Sequence, residues 1–182
     1  MSARYEIKYL LSFQEYELLK KTISLILHKD EHMKNAEHYP VLSLYYDTLE
    51  NEYYFQKVNG ENQHIKIRMR AYNQDLLKSN TLFMEKKVKI GDKQNKIRKI
   101  IETRNISDPM FWQNNEYLEF TNDITLQDLY PACFVYYERE AYQSEIENKK
   151  IRITFDKNIS SCLLYTSPSP RDQRGARMPS SA

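Results

Sequence analysis

The sequence predicts an α+β domain: an antiparallel β-barrel with a basic lumen and helices on its outside. Three observations predict it. Strand-like segments with period-two alternation recur along most of the chain, whereas a helical period is confined to a few short stretches. The charged face of the central strands gathers Lys and Arg, and the opposite face gathers Ile, Met and Val. An apolar outer surface under helices and a polar inner one suit that sense of alternation.

Residues 3–10 alternate as a strand, with Arg4, Glu6 and Lys8 facing one way and Tyr5, Ile7 and Tyr9 the other. Ser12-x-x-Glu15 is a capping-box signature. Behind it, Phe13, Tyr16, Leu19, Ile23, Ile26 and Leu27 space an amphipathic helix to about His28. The polar stretch 29–40 reads as a loop closed by Pro40. Val41 to Asp47 is rich in β-formers, and Asp47-x-x-Glu50 is a second capping signature that opens a short helix through about Val58. Asn59-Gly60 marks a turn.

The informative strands follow. From His64 to Tyr72 one face carries His64, Lys66, Arg68, Arg70 and Tyr72, and the other Ile65, Ile67, Met69 and Ala71. Thr81 to Ile90 places Phe83, Glu85, Lys87 and Lys89 on one face. After a Gly91-Asp92 turn, Asn95 to Ile101 returns as a hairpin carrying Lys96 and Arg98. Ser107-Asp108-Pro109 opens a short helix, with Pro suited to a first turn. Cys133 to Tyr142 sets Val135, Tyr137 and Arg139 against Tyr136, Glu138 and Glu140. Lys150 to Asp156 sets Arg152, Thr154 and Asp156 against Ile151, Ile153 and Phe155.

Composition narrows the function. A chain of 182 residues with 41% hydrophobic and 29% charged residues is one globular domain. No apolar run is long enough for a transmembrane helix, and the N-terminal residues lack a signal-peptide block. A cytoplasmic location is expected, or the cytoplasmic face of a membrane if a full-length parent is anchored. Cys133 and Cys162 have no partner spacing, which excludes a zinc finger or disulfide scaffold. His28, His32, His38 and His64 show no metal-ligand spacing and read as surface residues. With three glycines in all, no Gly-rich phosphate loop exists, so any phosphate must be held by side chains.

From Leu163 the composition breaks. Three of the six prolines and one of the three glycines fall in residues 163–182, without apolar period. That string resembles translated sequencing-adapter DNA. The expected organisation is therefore a domain over 1–162 and a non-native, disordered tail over 163–182. Removing the tail's three arginines and one aspartate from 27 basic and 25 acidic residues leaves 24 of each. Yet His64 to Lys99 holds eleven Lys/Arg against three acids, Asp75, Glu85 and Asp92. Positive potential is concentrated there.

Like charges stacked on one strand face repel unless an anion sits among them. An exposed basic sheet face is the bland reading. A nucleic-acid surface is a second, without an RNP-type aromatic pattern or helix-turn-helix to carry it. A barrel whose lumen holds a polyanion is the third and the favoured one, with Arg as a bidentate and Lys as a point-charge partner of phosphate.

Six motifs then occur in order: Arg4-Tyr-Glu6-Ile-Lys8-Tyr, Ser43-Leu-Tyr-Tyr-Asp47, Lys66-Ile-Arg68-Met-Arg70-Ala-Tyr72, Glu85-Lys-Lys87 with Lys96-Ile-Arg98, Tyr137-Glu-Arg139-x-Ala-Tyr142, and Arg152-Ile-Thr-Phe-Asp156. Over residues 3–160 the chain resembles the VTC domain, the polyphosphate polymerase domain of the vacuolar transporter chaperone family, within the triphosphate tunnel metalloenzymes (CYTH-like). The resemblance implies an antiparallel tunnel barrel that binds ATP and polyphosphate or triphosphate. It also implies transfer of the ATP γ-phosphate onto a growing chain with Mn²⁺ or Mg²⁺. By position, Lys8, Arg68, Arg70, Lys87, Arg139 and Arg152 take the catalytic lining. Lys57, Lys66, Lys89, Lys96 and Arg98 would add phosphate contacts.

Each residue also has a plainer reading. Lys8 can be an edge-strand lysine, Arg139 a surface ion pair with its flanking glutamates, and Arg152 a salt-bridge partner of Asp156. Arg68 and Arg70 stand out because no acid accompanies them on their strand face. Glu6 and Glu85 are candidate metal ligands, although pairing with Lys8 and Lys87 is the favoured reading of both. Family members continue past the equivalent of Asp156 with strands that hold the main metal glutamate and a late tunnel lysine. The expected barrel is therefore incomplete, and these 182 residues are expected to be poorly stable and inactive although the parent is an enzyme. The alternatives are a triphosphate hydrolase of the same superfamily and a non-catalytic polyphosphate- or anion-binding module. Neither nucleic acid nor a membrane segment is expected of the chain itself, and nothing in the sequence fixes an oligomeric state.

Overall fold

The structure, a computed structural model, describes residues 6–33, 36–91, 93–102 and 129–164. The expected helix at Ser107–Pro109 lies outside them, as does Arg4. In chain order the elements are α1 (Phe13–Ile26), β1 (His28–Lys29), a 3-10 turn (Glu31–Met33), β2 (Tyr39–Asp47), α2 (Glu52–Val58), β3 (Gln63–Ala71), β4 (Thr81–Ile90), β5 (Lys93–Glu102), β6 (Tyr130–Ile146) and β7 (Lys149–Leu163). The α+β class with an antiparallel sheet is thus as the sequence predicts. Strand order is β1-β6-β2-β3-β4-β5, with β7 paired to β6. The β1–β6, β2–β3, β3–β4 and β4–β5 pairs are all antiparallel. No helix of the described residues is long and apolar enough to cross a membrane.

The chain divides into two compact units, one of residues 1–39 with 138–157 and one of 40–137 with 158–182. In the second unit, β3 and β4 put Ile67, Met69, Ala71, Leu82 and Met84 into one core with Ile101 and Leu129. Tyr53 of α2 packs into the same core, so α2 lies over the apolar sheet face and the charged face is the other one. Ile67 and Leu82 are fully buried, and each such side chain contributes about 1.5–3 kcal/mol. The helix begins later than Asp47-x-x-Glu50 suggests. Its N-cap, Asn51, is left-handed at φ 57° and makes no side-chain cap bond. Asp47 does the capping from the end of β2: its carboxylate accepts from the Tyr53 and Tyr54 amides at 2.9 and 3.0 Å. The β4–β5 hairpin turns at Gly91, whose φ of 56° favours glycine.

In the first unit the capping box is present: Glu15 N–H donates to Ser12 Oγ at 3.3 Å and Ser12 N–H to Glu15 Oε2 at 2.7 Å. Tyr16, Ile23 and Leu27 seat α1 against Tyr142 and Phe155. Two expectations are corrected here. Of the strand expected over residues 3–10, the described part, 6–10, forms none despite its alternation and is exposed throughout, leaving no packed face for the period to serve. The stretch expected as loop after His28 instead opens with β1, held to β6 at His28↔Gln143 and Lys29↔Tyr142.

Candidate anion-binding face

Register builds the site. Across β2, β3, β4 and β5, Tyr45, Arg68, Glu85 and Arg98 stand in one cross-strand row, and Ser43, Arg70, Phe83 and Ile100 in the next. On the other side, Lys66, Lys87 and Lys96 form a row of three lysines, followed by His64 beside Lys89. Residues directly opposite in an antiparallel pair share a face. These four rows therefore put seven Lys/Arg and one carboxylate on a single face.

Glu85 sits at the centre and is 2% exposed. Arg68 donates from Nε to Oε2 at 2.7 Å, with its Nη2 2.6 Å from the same oxygen. Oε1 faces Lys96 Nζ at 2.7 Å and Arg98 Nε at 3.1 Å. These are ion-pair distances, although the angles at Oε1 fall short of hydrogen-bond alignment. Arg70 stands 3.9 Å away. Burial pushes the Glu85 carboxyl up, but Arg68, Lys96 and Arg70 outweigh it and hold it at about 2. The sequence expectation that no acid accompanies Arg68 and Arg70 fails across strands, because Glu85 reaches them from β4. Its partners are Arg68, Lys96 and Arg98, in place of the expected Lys87.

The remaining donors of the two arginines are fixed by hydroxyls. Arg68 Nη1 donates to Tyr45 Oη at 2.9 Å; Arg70 donates to Ser43 Oγ and Tyr137 Oη, both at 3.1 Å. Arg98 donates to Tyr72 Oη at 2.8 Å and stacks 4.1 Å from the Phe83 ring centroid. Arginines held this way present guanidinium edges in defined orientations. Lys66 and Lys89 are exposed on the same face. Sequence reasoning missed the hydroxyl supports Tyr45, Ser43 and Tyr137, although the Ser43-x-Tyr45 alternation carries the signal.

The other candidate residues are placed elsewhere. Lys57 is exposed in the last turn of α2, the helix on the apolar side. Lys8, Glu6, Arg139 and Arg152 belong to the first unit. Lys8 and Glu6 are exposed and 3.6 Å apart. Arg139 makes a two-pronged bond to Asp156 at 2.6 and 2.7 Å, rather than to Glu138 or Glu140. Arg152 donates to Asp30 at 2.8 Å and to Tyr39 Oη at 3.2 Å, rather than pairing with Asp156. His64, expected on the surface, is partly buried, with Nε2 enclosed and no hydrogen bond among the described residues.

Metal ligation fits these residues poorly. Four cations already stand within 3.9 Å of the Glu85 carboxylate, and Glu6 stands 3.6 Å from Lys8. Among the described residues no group of three His, Cys, Asp or Glu could hold a metal ion. No three-ligand set is therefore available among the described residues for the Mn²⁺ or Mg²⁺ that the resemblance implies. The chain matches the VTC domain family over residues 3–175, beginning where the motifs begin and running past the composition break at Leu163. No curated protein matches it.

Proposed function

Because the chain belongs to the VTC domain family, we propose that its β3–β5 face binds the phosphate chain of ATP and of polyphosphate, in a protein that transfers the γ-phosphoryl group of ATP onto the growing polymer. The family is one of polyphosphate synthesis. What carries the reading to these residues is the face itself: seven Lys/Arg in register around one buried carboxylate. Lysines opposed on adjacent strands place several positive charges along one line, and a string of phosphates suits the Lys66–Lys87–Lys96 row. Phosphoryl transfer asks mainly for charge neutralisation and in-line positioning. Arg68 and Arg70, oriented by Tyr45, Ser43 and Tyr137, would hold equatorial phosphate oxygens, while the lysines follow the chain as point charges. Lys8, Arg139 and Arg152 are proposed as further phosphate contacts on the resemblance alone. The ion pairs to Asp156 and Asp30 would then have to open for Arg139 and Arg152 to serve.

The experiment supplies ATP and Mn²⁺ to the natural protein carrying this domain and resolves long polyphosphate from Pi, with a metal-free control. Long chains that vanish in Arg68→Ala/Arg70→Ala are the expected result. Pi release without chain growth would replace polymerase with hydrolase. Polyphosphate binding that depends on Arg68, with neither product, would leave a binding module.

A further inference from the structure

The first unit contains a groove of about 450 Å³ between α1 and β1 that the proposed function leaves unused. Its wall carries Lys20, Lys21 and Ser24 from α1, His28 and Lys29 from β1, and Tyr142 from β6. The groove has one carboxylate in its lining, Glu17. Lys20 is already committed below, 3.1 Å from Glu140 and 3.1 Å from Tyr16 Oη. Lys157 binds the same glutamate, so that single buried carboxylate neutralises only part of the charge above it. Lys21 and Lys29 are exposed and have no carboxylate within ion-pair distance among the described residues. Pairing of β1 with β6 fixes Lys29 opposite Tyr142, and the helix fixes Lys21, so the two ammonium groups come from rigid elements.

We propose that this groove is a second anion site, which takes a small, multiply charged oxyanion of the phosphate type. Ammonium groups act as point charges for phosphate oxygens; the Ser24 hydroxyl donates to the Lys21 carbonyl at 2.8 Å and lends the anion no donor. The volume is in the range of small-ligand sites. Tyr142 is 3% exposed and the lining holds no Phe or Trp, so the exposed His28 ring is the aromatic face in the lining open to a ligand. Recognition here rests on the ammonium groups, so the ligand class is an inorganic anion such as pyrophosphate. This inference does not rest on the reading of the sheet face.

The test is a titration of the full chain with inorganic pyrophosphate, followed by amide and lysine-methylene NMR shifts at constant ionic strength. Saturable shifts at residues 20–29 are expected, weakened at least tenfold in Lys21→Ala/Lys29→Ala and unchanged in Arg68→Ala/Arg70→Ala. Lys21→Gln/Lys29→Gln should reproduce the loss, with an unchanged Tm to show that folding is intact. Linear or absent shifts at residues 20–29 would overturn the groove. Shifts that disappear in the arginine variant and survive in the lysine variant would assign the anion to the sheet face instead.

Discussion

Glu85 decides how the charged face is organised. Four cations converge on a carboxylate that is almost completely buried, so removing its charge leaves them facing one another with a neutral amide between. Breaking a buried pair costs about 3–5 kcal/mol; the partial exposure of Lys96 and Arg98 lowers the expectation for Glu85→Gln to roughly 2–4 kcal/mol in urea unfolding at pH 7. The pH dependence has a definite sign. Glu85 and Glu140 are both lowered from 4.5 to about 2 in the folded chain, in each case against burial. For Glu140 the lowering comes from Lys157, Tyr16 and Lys20. A depressed carboxyl contributes stability that is present above its unfolded pKa and is lost as pH falls through the folded one. Unfolding free energy should accordingly be flat from about pH 5 to 8 and drop by a few kcal/mol between about pH 4.5 and 2. In Glu85→Gln the drop should be roughly halved; an identical drop in the variant would mean that Glu85 titrates normally.

Among the elements, α2 shows how the sequence both discloses and conceals structure. Asp47 reads as a cap, and it is one. It acts six and seven residues ahead, on the Tyr53 and Tyr54 amides, while Thr48 Oγ1 accepts from Glu52 N–H at 3.1 Å. Asp47→Ala strips acceptors from a buried helix start and should cost about 1–2 kcal/mol, with Asp47→Asn recovering part of it. Chemical denaturation reads both, and an unchanged Asp47→Ala would mean that α2 is held by Tyr53 packing alone. Strand faces were legible because alternation from His64 to Tyr72 and from Thr81 to Ile90 has one apolar side to bury. The β4 boundaries agree to the residue. Side-chain partners were not legible, because they depend on register between distant strands. Glu85 meets Arg68 across β3 and Arg98 across β5, and Arg152 finds Asp30, 122 positions away in sequence. Glu6 to Tyr9 alternate as a strand would yet form none; alternation alone does not supply a pairing partner.

For the molecule as a whole, net charge hides the feature that matters. The chain is only +2, yet its β3–β5 face gathers seven Lys/Arg around Glu85, a concentration of positive charge that an anion would screen. A ligand that binds the folded state alone stabilises by RT ln(1 + [L]/Kd), about 2.7 kcal/mol at one hundred times Kd. Inorganic triphosphate should therefore raise Tm by several degrees at low salt. The rise should shrink as ionic strength passes 0.1 M, where screening acts over about 10 Å. Measured in the Lys21→Ala/Lys29→Ala background, the shift reports the sheet face and not the α1–β1 groove. Adding Arg68→Ala/Arg70→Ala should then remove it. Those two substitutions also take away partners of Glu85, so the quadruple variant starts from a lower Tm, and the quantity to compare is the ligand-induced increment. Should triphosphate produce the same increment with and without Arg68 and Arg70, the lysine row alone carries the binding and the arginines serve Glu85. Should it produce none in either background, the face is a structural charge network and the phosphate-binding reading of β3–β5 falls.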